Sequence, residues 1–140
     1  MWGAIHSVED VLERHKRRES ETGSFIGSVV VMSFQVKNDE QLRAAVRNAY
    51  AAGIIMVAAA GNSNDDIAKA KRFPAKYPEV ITVAASNDLY KKHYTSSYGS
   101  LVDVIAPGAG IESAWYVPLI RPCIFACCAV TLIRFTRTTC

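Results

Sequence analysis

An α/β fold with a mainly parallel sheet flanked by helices is what this 140-residue sequence predicts, on two observations. Short continuous apolar runs rich in β-branched residues occur at 28–33, 54–59, 80–84 and 101–105. Runs of that kind, without alternation, are how strands buried on both faces read. Segments with helical apolar spacing precede the first two runs, so helix and strand alternate.

The first helix is expected to begin at Ser7, which with Val8, Glu9 and Asp10 resembles a capping box. Ile5, Val8, Val11, Leu12 and His15 fall near helical spacing, and the charged stretch 16–21 followed by Gly23 closes the helix. His6 then precedes this helix and His15 lies at its boundary. The second helix opens at Asn38-Asp39-Glu40-Gln41, with Asn38 as N-cap and the acids favouring the positive N-terminus. Leu42, Ala45, Val46 and Ala49 form its buried stripe, and Gly53 is placed to be the left-handed residue past its end.

Charge and cysteine usage exclude several classes. A net charge of +3, with one dense basic run at Lys16, Arg17 and Arg18, lacks the broad basic stripe of a nucleic-acid binder. Half the chain is hydrophobic, which excludes a disordered chain. All 4 cysteines (Cys123, Cys127, Cys128 and Cys140) fall near the end, and no His, Asp or Glu accompanies them, so a zinc site is not read there. No acidic residue follows Glu112. The change of composition divides the chain into a body, 1–115, and a Cys-rich apolar tail, 116–140. The tail's longest apolar run, 123–133, falls short of the about 20 residues a membrane span needs. Neither a membrane partner nor a signal peptide is read, because Met1-Trp2-Gly3 leads straight into an amphipathic segment.

The densest chemical clue is Ala58-Ala59-Ala60-Gly61-Asn62, at the carboxyl end of an expected strand. Ligands of open α/β sheets bind outside strand carboxyl ends, and an Asn amide can donate a hydrogen bond there. By itself the segment reads first as a turn, since Gly and Asn both tolerate positive φ. The acidic stretch from Asn62 to Asp66 reads as a solvated loop and a helix N-cap.

Several short motifs occur in a fixed order. They are Val30-Val31-Met32-Ser33-Phe34, Ala51-Ala52-Gly53, Ala59-Ala60-Gly61-Asn62, Phe73-Pro74-Ala75, Ser97-Tyr98-Gly99-Ser100, Val102-Asp103 and Ala106-Pro107-Gly108. In this order and spacing, from about Ser7 to Trp115, they resemble the middle of a subtilisin-like serine protease domain of the proteinase K branch. The resemblance implies that Asn62 helps form an oxyanion hole. It implies that Ser33 and Phe34 pair with an extended peptide or protein substrate. Ala59, Ala60 and Gly61 would line the pocket for the residue before the scissile bond, with Pro74 in the loop beside it. It also implies a structural calcium site from the carbonyls of Pro78 and Val80 and the carboxylate of Asp103; no other cofactor is required. Read by themselves, one carboxylate and two carbonyls make a weak site, and Asp103 reads equally as a turn residue. Members of the family are typically secreted.

The sequence departs from the family pattern at three places. Gln35 stands where the pattern has Gly, so a side chain is expected to crowd the substrate strand. Tyr94-Thr95-Ser96-Ser97-Tyr98-Gly99 is a looser match to the family's Ser-Phe-Ser-Asn-Tyr-Gly. The strings Asp-Ser/Thr-Gly, His-Gly-Thr-His and Gly-Thr-Ser-Met-Ala, which would carry the Asp, His and Ser of a catalytic triad, do not occur. None of His6, His15 and His93 stands in a matching context. The expectation is therefore part of a serine endopeptidase that does not hydrolyse peptides alone. A non-catalytic peptide-binding or interaction module on the same sheet is the alternative. A nucleotide-binding α/β domain is disfavoured by the lack of a Gly-rich phosphate loop.

Overall fold

The computed structural model describes residues 2–21, 23 and 25–111. The expected tail, 116–140, and its cysteines lie outside the described residues. Six elements follow one another: α1 (Trp2–Glu21), β1 (Val29–Met32), α2 (Glu40–Ala51), β2 (Ile55–Ala59), β3 (Val80–Ser86) and β4 (Val104–Pro107). The four strands form one parallel sheet, as the apolar runs predict, and its order is β1-β2-β3-β4. Val30 pairs with Met56, Ala58 with Thr82, and Ala84 with Ile105.

One face of the sheet carries the core. Met32, Met56, Ala58, Val80 and Ala84 point to the side where Leu42, Val46 and Ala49 of α2 and Ile5 and Val8 of α1 pack. The opposite face corrects the expectation of strands buried on both sides. Val29, Val31, Ile55 and Ile81 are 59%, 45%, 50% and 41% exposed. Both described helices belong to the first core, so among the described residues the second face is shielded only around Val83, Ala85, Val57 and Ala106.

The helix ends differ from the sequence reading in ways that have local causes. α1 starts five residues before Ser7, so Ser7 is interior and its hydroxyl donates back to the Gly3 carbonyl at 2.7 Å instead of capping. His6 consequently lies inside α1, bonded to Glu9 across one turn. His15 is also interior; it is buried, shares a hydrogen bond with the Ser28 hydroxyl at 3.0 Å and meets the Phe25 ring edge-on. The N-cap of α2 is Asp39, not Asn38: its Oδ1 accepts from the amides of Gln41 and Leu42, both at 2.9 Å. At the other end Gly53 takes φ +84°, as a left-handed terminator requires.

Candidate active site

Parallel pairing sets Met32 opposite Ala58, so β1 and β2 end at the same edge of the sheet. Beyond β1 run Ser33, Phe34 and Gln35; beyond β2 run Ala60, Gly61 and Asn62. A crevice between strand carboxyl ends is where an open α/β sheet receives its ligand. Ser33 and Phe34 are half-buried, and the Phe34 ring leans on the core. Ala60 is buried, and its amide donates to the Val83 carbonyl at 2.8 Å, which extends the β2–β3 pairing past the strand. Gly61 then turns the chain with φ +106°. That angle is strained for any residue with a Cβ. Asn62 follows and is exposed at the rim of the crevice.

The turn that bears Asn62 is fixed on both sides. The Gly61 carbonyl accepts from the Ser97 amide at 2.8 Å, and the Ser63 amide donates to the Ser97 hydroxyl at 3.4 Å. Next along the chain, the Asn64 amide donates to the Thr95 carbonyl at 2.8 Å, and the Lys92 ammonium reaches the Asn64 Oδ1 at 2.9 Å. Asp65 anchors the base of the loop. It takes a two-pronged contact from Arg72 (Nη1 3.0 Å, Nη2 2.8 Å) and a hydrogen bond from the fully buried Ser97 at 2.7 Å.

The sequence reading missed this network. Its one signal was the acidic stretch, read as a solvated loop and helix N-cap. No α-helix follows Asp66 among the described residues; its Oδ1 accepts from the Ala68 amide at 2.9 Å and closes a turn. Gln35, expected to crowd the groove, extends across it: its Nε2 donates to the Ala60 carbonyl at 3.2 Å.

The histidines lie apart from this crevice on other elements: His6 and His15 on α1, His93 in the β3–β4 loop, where it contacts the Thr95 hydroxyl at 2.8 Å. Phe73 and Pro74 join through a cis peptide, and Val36 and Phe73 exchange backbone hydrogen bonds of 2.9 and 3.0 Å beside the crevice.

Asp103 precedes β4 and does not lie within it. Its amide donates to the Thr82 carbonyl at 2.9 Å, and its Oδ2 accepts from the Thr82 amide at 2.7 Å. Backbone groups of a strand alternate in direction. Thr82 faces Asp103, so the Val80 carbonyl, two residues earlier, faces the same side. One of the two Asp103 carboxylate oxygens is thus already engaged, by the Thr82 amide. Among the described residues no group of three or more His, Cys, Asp or Glu side chains is gathered. No described helix is long and apolar enough to cross a membrane.

A parallel sheet with polar groups on the loops beyond its strand ends defines an open α/β domain, a class whose ligand sites lie at that edge. The family model described as Subtilase family matches residues 21–122, and the chain belongs to that family of subtilisin-like serine peptidases. It is 46% identical over 88 residues to the subtilisin-like proteinase Mp1 of Magnaporthiopsis poae, covering 63% of this chain and 21% of that protein. It is 41% identical over 97 residues to a cuticle-degrading serine protease of Orbilia oligospora, covering 69% of this chain and 22% of that one. The crystal structure of a cold-adapted subtilisin-like serine proteinase superposes with a TM-score of 0.60 at 32% identity, over 78% of this chain and 38% of that one. The chain thus spans about a fifth of the length of the curated relatives it matches.

Proposed function

We propose that this chain supplies the oxyanion-side wall and part of the peptide groove of a subtilisin-type serine endopeptidase site, within a peptidase segment at 1–115. The observation that carries this reading is the Ala60-Gly61-Asn62 turn, held by Ser97 opposite Ser33 and Phe34. An extended peptide would lie between these two segments, its backbone pairing with Ser33 and Phe34 and its side chain facing Ala59, Ala60 and Gly61. The Asn62 carboxamide would donate to the carbonyl oxygen as negative charge develops on it. A fixed backbone at the turn serves that role, because it limits how far the carboxamide must reorganise during reaction.

The nucleophile, its base and the acid that orients the base are not supplied by the motifs of these 140 residues, so the chain alone leaves peptide bonds intact. The carbonyls of Pro78 and Val80 and the carboxylate of Asp103 would hold a structural calcium ion.

A serine-directed fluorophosphonate should leave this chain unlabelled, while an extended apolar peptide shifts the amide resonances of Ser33, Phe34, Ala60 and Gly61. Labelling that a peptide competes away overturns the inactivity; absence of any shift overturns the groove. In a longer product carrying all three triad motifs, Asn62→Ala should lower kcat about ten- to hundredfold with KM little changed, since one charge-assisted donor is lost. An unchanged kcat overturns the role of Asn62. A longer transcript without those motifs would favour the non-catalytic peptide-binding module.

A further inference from the structure

We propose that Gln35 is a gate on this groove and makes it selective for peptides with a small side chain at the crevice; this rests on the groove reading above. The main chain on either side of Gln35 is fixed. Before it, β1 is paired to β2 as far as Met32 and Ala58. After it, Val36 and Phe73 exchange two backbone hydrogen bonds. From this fixed point the carboxamide spans the crevice, and its Nε2 donates to the Ala60 carbonyl at 3.2 Å.

The same carboxamide lies against the open α-carbon face of Gly61, so a side chain built on Gly61 would run into it. Gln35 therefore occupies the volume that glycine leaves free, between the two backbone segments that form the groove. A peptide side chain directed there meets the carboxamide before it meets the groove floor. A methyl group displaces the carboxamide least, whereas a ring requires Gln35 to leave Ala60.

Gln35 is able to leave. The residue is exposed overall and is held across the crevice by one neutral hydrogen bond, near the long end of the ordinary range. Its withdrawal leaves the Ala60 carbonyl without that donor unless the incoming peptide replaces it. The penalty for a large side chain is thus a hydrogen bond lost and a long side chain reordered, which corresponds to about a tenfold change in affinity.

The test uses the full chain and two probes, N-acetyl-tetraalanine amide and the same peptide ending in phenylalanine amide, with dissociation constants from NMR titration. The unmodified chain should prefer the alanine peptide. Gln35→Gly should shift the ratio of the two constants about tenfold toward the phenylalanine peptide. Gln35→Ala, which makes no demand on backbone flexibility, should shift it in the same direction. A ratio that stays the same in both variants overturns the gate and leaves the groove standing. Failure of both peptides to bind any of the three chains overturns the groove and the gate with it.

Discussion

The hydroxyl of Ser97 donates to Asp65 at 2.7 Å, and the same oxygen accepts from the Ser63 amide at 3.4 Å. One fully buried side chain thus ties together Ser63 and Asp65, just beyond Asn62. Ser97→Ala removes both contacts and leaves Asp65 to Arg72. We expect a loss of about 1 kcal/mol in urea unfolding. We also expect faster hydrogen exchange at the Ser63 and Asn64 amides, with the β2–β3 ladder unaffected. Uniformly faster exchange across the sheet would mean that Ser97 is general packing and does not hold the turn in particular.

Tyr77 supplies the pH dependence. Its ring is buried and lies tilted against Phe73, centroids 4.9 Å apart, and its hydroxyl donates to the Asp39 carbonyl at 3.2 Å. Burial raises its pKa above the ordinary value of 10.0. A phenol whose pKa is higher folded than unfolded favours the folded state while it stays protonated. Its contribution is complete below pH 10.0 and falls as pH rises through the raised value. Urea midpoints measured from pH 8 to 11 should therefore decline above about 10. In Tyr77→Phe that part of the decline should vanish, at a loss of about 1 kcal/mol at neutral pH. An identical decline in both proteins would assign the effect to other groups.

The two faces of the sheet should respond differently to mutation. Leu42 has no exposed surface and belongs to the same buried core cluster as Met32 and Met56. Leu42→Ala should cost about 2–5 kcal/mol. Ile55 is half exposed on the other face, so Ile55→Thr should cost less than about 1 kcal/mol and reduce binding of a hydrophobic dye. Comparable losses at the two positions would show that the second face is covered in solution.

The strands and their parallel sense were legible because each apolar run is short, β-branched and preceded by a helical period or a turn signal. What the runs could not reveal is which face is covered. Val31 and Met32 read alike in sequence, yet one is 45% exposed and the other 1%. That contrast depends on where α1 and α2 pack, a tertiary fact. The N-cap slipped by one residue because Asn38 and Asp39 are both good caps by type; it is Asp39, with extended backbone at φ −140°, whose carboxylate accepts from the first-turn amides. Asn62 was visible through its motif, but its supports Ser97 and Arg72 are 35 and 10 positions away and are joined to it only by the fold. The place of Gln35 as a departure was plain in sequence, whereas its partner, the Ala60 carbonyl, was not.

Asp103 separates a structural role from metal binding. Its backbone amide and its Oδ2 both engage Thr82, which joins the start of β4 to β3 whether or not a cation is present. Asp103→Asn retains an oxygen that can accept from the Thr82 amide, but it removes the negative charge that a divalent cation needs. Without calcium, then, Asp103→Asn should melt within a few degrees of the unmodified chain. Calcium at about ten times its dissociation constant should stabilise the unmodified chain by about 1.4 kcal/mol, and Asp103→Asn by much less. Magnesium at the same concentration should do less than calcium, because two carbonyls and one carboxylate on separate segments suit the larger, less demanding ion. If calcium leaves the melting temperature of the unmodified chain unchanged, the proposed calcium site fails, and the Asp103–Thr82 pairing remains as the whole of what that carboxylate does.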